Sequence, residues 1–219
     1  MVAGTSSSGV FPMTLSAIEV NQLKRAPVVE GVVPVIHERW SPRSFADREV
    51  RAADLAKVFE AARWAPSSNN EQPWRYVVGV RNSSTHGKIA ATLMGFNQSW
   101  APKAPVLILG TASSRFSRNG RPNAYALYDL GAATVLITLQ AAALGLTTHQ
   151  MGGFDHDAIR QALDIPEDDV LGSVMALGYL GEPAALADEH LIASEVTPRS
   201  RKPLSEMVFS AWGEPAELA

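Results

Sequence analysis

Hydrophobic residues recur along this chain with two different periods. Between Ala53 and Trp64, Leu55, Val58, Phe59 and Ala62 follow the i, i+3, i+4, i+7 rule, which predicts an amphipathic helix. Pro66 ends it, because the residue before a proline is pushed out of the α region. Tyr76 to Val80 is β-branched and aromatic after the Pro73-Trp74 break and predicts a strand. Pro105 to Leu109 is a short, continuous apolar run that suits a strand buried on both faces, and Ser173 to Tyr179 predicts a further strand. Shorter helices are expected over His86 to Met94 and from Asp155 or His156 through Leu163. Val33, Val35 and Ile36 begin another that runs into Arg39. The longest helical pattern, Asn123 to Leu144, is apolar nearly all round and stops at Gly145, a natural residue just past a helix end. A helix of that kind belongs in the centre of a domain or at a subunit interface. Ser113 to Pro122, polar and basic, predicts a loop. The tail from Gly181 is loop-rich and ends in a small amphipathic piece, Leu204 to Phe209. Strands and helices are mixed, with no repeat or linker. The expected architecture is a flexible leader over residues 1–15, then one α+β domain over residues 16–219 with a sheet covered by helices on both sides.

Composition narrows the chemistry. With 219 residues the chain can bury a sizeable core, and a net charge of −3 gives no electrostatic reason to expect nucleic acid or an anionic membrane as partner. The apolar run from Leu130 to Leu146 is interrupted by Thr, Gln and Gly and follows Asp129, so it falls short of a membrane span. The first twelve residues lack a basic segment and a long apolar core, so no secretory signal is expected and the cytoplasm is the expected address. There is no cysteine, which removes disulfides, thiolate metal sites and redox thiols together. If this protein moves electrons, a bound cofactor must carry them.

Two stretches carry the most chemistry. Arg39-Trp40-Ser41-Pro42-Arg43-Ser44-Phe45 gathers two guanidiniums and two hydroxyls around a proline, a donor set suited to a phosphate. Pro66-Ser67-Ser68-Asn69-Asn70-Glu71-Gln72-Pro73-Trp74 can present amides and hydroxyls to the edge of a heteroaromatic ring. Arg199, Arg201 and Lys202 form a second basic cluster, and Met151-Gly152-Gly153 lets main chain approach a flat ligand. Taken singly, each has an ordinary reading: solvated arginines at a helix end, a basic run near a terminus, a Gly-Gly turn. Other chemistries find no support. There is no Gly-x-Gly-x-x-Gly or Walker-type loop, the five histidines show no ligand spacing, and Ser67-Ser68 lacks an adjacent base. Asp129, on the apolar helix, is read as a local cap or pairing residue without a catalytic role.

In this order and at these separations, the motifs resemble those of the FMN-dependent nitroreductase family over roughly Val35 to Phe209. The resemblance implies a three-layer fold, with a central mixed or antiparallel sheet flanked by helices, in a homodimer that exchanges its C-terminal tails. It implies FMN at the dimer interface, held at the phosphate and ring edge by Arg39, Trp40 (through its backbone), Ser41 and Arg43, and by Arg199 and Arg201, with Lys202 the alternate. Pro66, Ser67, Ser68 and Asn70 would reach the flavin from the other subunit, Asn97 would contact the ring edge, and Met151, Gly152 and Gly153 would face N5. Some members carry a cation where this chain has Trp100. The implied activity is reduction of nitroaromatics, quinones or related acceptors by NAD(P)H in a ping-pong mechanism, with no metal and no catalytic side chain because flavin N5 carries the chemistry. Two other functions fit the same motifs: a specialised flavin enzyme that oxidises, dehalogenates or fragments, marked by a lid for which Ser113 to Pro122 is the candidate, and a non-catalytic flavin-binding protein. A domain binding some other phosphate is the remaining alternative.

Overall fold

A computed structural model describes residues 15–218. The expected leader, apart from its last residue, lies outside the described residues. Four strands form one antiparallel sheet: β1 (Trp74–Val80), β2 (Val106–Ser113), β3 (Thr147–Met151) and β4 (Asp169–Gly178), in the order β1-β2-β4-β3. Trp74 faces Ala112 and Val80 faces Val106 across the first pair, while Val106 faces Leu177 and Thr147 faces Gly178 across the next two. β1 and β3 are therefore the edges.

Alternation along the two central strands builds two cores. Val106, Ile108 and Ala112 of β2 and Met175 and Leu177 of β4 point to one face, and Leu107, Leu109, Val174 and Ala176 to the other. The first face is covered by α3 (Ala52–Arg63) and α6 (Ala126–Ala143), through Val58, Ala62, Leu130, Ala133 and Ile137. The second is covered by α4 (Ser84–Ala91), α5 (Phe96–Trp100) and α7 (His156–Ala162), through Ile89, Trp100 and Ile159. Residues as fully buried as Ile137 and Leu107 contribute roughly 1.5–3 kcal/mol each. The result is the three-layer arrangement expected, with the sheet antiparallel throughout. Gly172 makes one close approach possible: a Cβ there would meet Leu130 Cδ2 at 2.5 Å.

Among the described residues, α6 is the one helix long and apolar enough to cross a membrane by composition, yet one side of it packs on the sheet. Its other side leaves Leu127, Tyr128 and Val135 exposed. Gly145, with φ +73°, follows its end as expected.

Two short helices, α1 (Ala17–Leu23) and α2 (Pro34–Glu38), precede the sheet. Ser16 caps α1 in a reciprocal box with Glu19. The C-terminal segment departs from the expected loop: α8 (Glu189–Val196) is a full helix capped by Asp188, and the final amphipathic piece is a 3-10 turn, Leu204–Glu206, followed by a hairpin of β5 (Phe209–Ala211) and β6 (Glu214–Pro215). Backbone bonds donated from Glu206 to Ala216 stay within this tail, and Trp212 at its tip is 96% exposed.

Candidate functional site

Arg39 caps the end of α2, where Pro34 at the helix start and the extended backbone of Arg39 limit the helix to five residues. Its guanidinium donates to Ser41 Oγ at 3.0 Å. Arg199, 160 residues further on, donates to the main-chain carbonyls of Arg39 and His37. Together with Arg201 and Ile36 they line a cavity of about 490 Å³. No carboxylate within ion-pair distance answers Arg39, Arg199 or Arg201 among the described residues, whereas Lys202 pairs with Glu206 at 3.5 Å. Burial, and then Arg201, hold the Arg39 guanidinium below the usual arginine pKa; burial, Arg39 and Arg201 do the same to Arg199. Three buried nitrogens here, Arg39 Nε, Arg199 Nε and His37 Nε2, have no hydrogen-bond partner. A cluster of fixed positive charge with orphaned donors matches a multiply charged anion such as a phosphomonoester.

The backbone of this claw is held from behind. Glu195 of α8, only 1% exposed, accepts from the backbone N–H of Arg43 at 2.9 Å and of Ser44 at 3.2 Å. Lys24, which caps the end of α1 and is also buried, donates to the Ser194 carbonyl at 2.9 Å. The Trp40 indole is buried and donates to Asn21 Oδ1 at 3.0 Å, so only its backbone faces the claw.

The edge strand β3 runs away from the claw. His149 Nδ1 lies 3.0 Å from the Pro42 carbonyl, and burial lowers the His149 pKa to about 4, which keeps the ring neutral and able to donate there. Trp100 packs beside His149 with ring centroids 4.6 Å apart; at 1% exposure it is a core residue, and position 100 turns inward. Beyond β3, Asn97 Nδ2 donates to the Gly153 carbonyl at 3.0 Å, and a Cβ at Gly153 would meet that nitrogen at 2.8 Å. Met151 has its side chain in the core, while Gly152 and Gly153 are exposed.

The serine-rich loop lies elsewhere. Asn69, Asn70 and Gln72 have φ of 54°, 54° and 50°, a left-handed run that asparagine tolerates better than glutamine. Buried Asp129, in the first turn of α6, fixes the loop by accepting from Ser68 N–H at 3.0 Å, and Ser67 Oγ accepts from Gln72 N–H at 3.0 Å. The following loop is tied to it through Ser117 N–H and Glu71 Oε1 at 2.8 Å.

The fold thus brings Arg39, Ser41, Arg199 and Arg201 together, and Asn97 with Gly153. It does not bring Pro66, Ser67, Ser68 and Asn70 to them within one chain. The loop sits at the Asp129 end of α6 and leads into β1, whereas Arg39 and Trp40 share a cavity with Thr138 and Ala142 near the other end, beside β3. From Asp129 to Ala142 is roughly 20 Å of helix, and the two edge strands are roughly 14 Å apart. Sequence reasoning missed Glu195 and Lys24. A glutamate on one short helix and a lysine at the end of another carry no sign of burial in the sequence, each having one apolar and one polar neighbour.

Comparison with known proteins bears on the family and the fold. The nitroreductase family model matches residues 36–99 and 85–179. An Archaeoglobus fulgidus protein provisionally named NADH dehydrogenase/NAD(P)H nitroreductase is 34% identical over 155 residues, covering 69% of this chain and 86% of that protein. The 4-nitrobenzoate reductase of a Nocardioides species is 27% identical over 237 residues, covering 86% and 93%. A crystal structure described as an oxidoreductase containing FMN superposes with a TM-score of 0.77 at 33% identity, covering 84% of this chain and 93% of the other. This chain belongs to the nitroreductase family.

Proposed function

We propose that the protein is a homodimeric, FMN-dependent oxidoreductase that takes electrons from NAD(P)H and passes them to nitroaromatics, quinones or similar electron-poor acceptors. The observation that carries the reading is the cluster of orphaned nitrogens on Arg39, Arg199 and His37 in a cavity that no carboxylate neutralises among the described residues. When bound there, the flavin supplies the redox chemistry, accepting hydride from a nicotinamide and returning electrons to an acceptor. The protein's part is binding and orientation. Arg39, Ser41, Arg43, Arg199 and Arg201 would hold the phosphate and neighbouring polar groups, while the Met151–Gly153 backbone and Asn97 would border the ring.

Separation of the two half-sites supports the dimer. A ligand that meets both the claw and the Ser67–Asn70 loop needs the loop from a second copy, and the exposed Leu127, Tyr128 and Val135 of α6 offer that copy an apolar face. The long tail with Trp212 at its tip supports exchange between subunits. The names of the relatives from Archaeoglobus fulgidus and Nocardioides support NAD(P)H as donor and a nitroaromatic as one acceptor.

The test is the visible spectrum of the purified protein under anaerobic conditions, before and after adding NADH or NADPH. A yellow protein that bleaches is expected. A protein that is colourless and does not take up added FMN overturns the reading. One that binds FMN without being reduced by either nucleotide is a flavin-binding protein without this activity.

A further inference from the structure

We propose that Glu195 is a positioning residue for the anion claw, setting the Arg43–Ser44 backbone and the placement of Arg199 relative to Arg39 through one buried carboxylate. The identity of the anion rests on the flavin reading above; the mechanical role of Glu195 does not.

Residues between Arg39 and Phe45 belong to no helix or ladder strand, so their backbone donors need partners from elsewhere. Glu195 provides them. One oxygen accepts from Arg43 N–H at 2.9 Å and from Ser44 N–H at 3.2 Å, and the other lies 3.2 Å from the same Arg43 nitrogen. A carboxylate as buried as this is costly unless its charge is answered. The charged groups facing it are Lys24 at the end of α1 and Arg43 from the claw, and Lys24 Nζ is itself held by the neighbouring Ser194 carbonyl. A second tie, from Ser44 Oγ to the Glu182 carbonyl at 2.6 Å, fixes the same turn.

The chain then leaves α8 and reaches Arg199 within four residues of Glu195, where the guanidinium donates back to the Arg39 and His37 carbonyls. Anchoring at Glu195 therefore registers both halves of the claw. Arginines about 160 residues apart in the chain meet because α8 is clamped to the turn between them. Burial raises the Glu195 pKa while the two backbone donors and both cations lower it, so the clamp is weakened by protonation on the acid side.

The experiment compares wild type with Glu195→Gln in two readouts. The first is FMN affinity against pH, from quenching of flavin fluorescence. Glutamine can keep one oxygen on both N–H donors, but it offers no charge to Lys24 and turns an NH2 group toward the Arg43 N–H where the second oxygen stood, so affinity is expected to fall on the order of tenfold or more at neutral pH. Wild-type affinity is expected to decline toward acid with a step that the variant lacks. The phosphate's own second ionisation is common to both, so the difference between the two profiles isolates Glu195. The second readout is backbone hydrogen exchange in the flavin-free protein, with faster exchange expected over Ser41–Ala46 and none over α6. If wild type binds FMN and the variant matches its affinity and pH profile, the proposal is overturned. If wild type does not bind FMN, the flavin reading fails and exchange decides alone: unchanged protection over Ser41–Ala46 overturns the clamp as well. Should Glu195→Gln not fold, Glu195→Asp, which keeps the charge but shortens its reach, is read by affinity at neutral pH and by exchange over Ser41–Ala46, and wild-type values in both overturn the proposal.

Discussion

A guanidinium that is half buried beside other guanidiniums is held in place by the fold against its own repulsion. Arg39 and Arg199 are in that position, and a dianion relieves it. Arg39→Ala or Arg199→Ala is expected to weaken FMN binding by about 10- to 100-fold, the equivalent of one or two charge-assisted hydrogen bonds. Riboflavin, which has no phosphate, should bind wild type and these variants alike; equal losses for both ligands would place the arginines away from the phosphate. His149 makes a separate prediction. Its folded pKa, about 4, lies below the ordinary 6.5, so between those values the unfolded chain binds more protons than the folded one. Its contribution to stability is complete above about pH 6.5 and is lost as pH falls toward 4, at up to roughly 1.4 kcal/mol per pH unit. Urea unfolding at several pH values should show that slope, and His149→Gln should flatten it. At this scale the pairing of Arg39 with Ser41 was legible in the sequence because cations and hydroxyls cluster there around a proline, whereas the Arg43 guanidinium donates to Ser194 Oγ at 3.2 Å. The roles of Glu195 and Lys24 were not legible, and Asp129, read as a local capping or pairing residue, instead answers an N–H 61 residues away; burial of a charged residue depends on partners far away in the chain.

Elements with a single dominant pattern were legible too. α3, β1 and α6 carry a helical stripe or a β-branched and apolar run, and their bounds fall close to those expected; β2 begins where expected but ends four residues later, at Ser113. β3 was not marked, because Thr147-Thr148-His149-Gln150-Met151 is an edge strand with only Thr148 and Met151 buried. β4 starts four residues before the run expected, since Asp169, Val170 and Leu171 also pair with β2, and Gly172 interrupts the apolar pattern between them and Ser173. α8 was hidden for another reason: its short apolar stripe, led by Leu191, lies among charged residues, although Leu191 joins the second core. The join between α6 and the serine loop is also invisible in the sequence, being a single bond from Ser68 N–H to Asp129. Asp129→Ala leaves that donor unanswered in a loop already holding three left-handed residues. A stability loss of about 1–3 kcal/mol is expected, with faster proteolysis between Ser67 and Gln72. Unchanged cleavage there would show that the loop is held by other means.

For the whole molecule, the sequence indicated three layers and one domain; it could not show which face of α6 stays uncovered. That face and the projecting tail are what a second copy would bury. Val135→Arg is expected to shift the protein from dimer to monomer in light scattering and to remove FMN binding with it. A monomer that still binds FMN at wild-type affinity would show that one chain suffices. The opposite placement of claw and loop on α6 has a genetic consequence. In the proposed dimer each site takes its claw from one subunit and its loop from the other. Two variants, Arg39→Ala and one with a damaged Ser67–Asn70 loop, held at an FMN concentration too low to load either alone, should therefore complement each other. Each mixed dimer would contain one wholly wild-type site and one carrying both lesions. Random reassortment of equal amounts would return about a quarter of all sites to function from two proteins that have none.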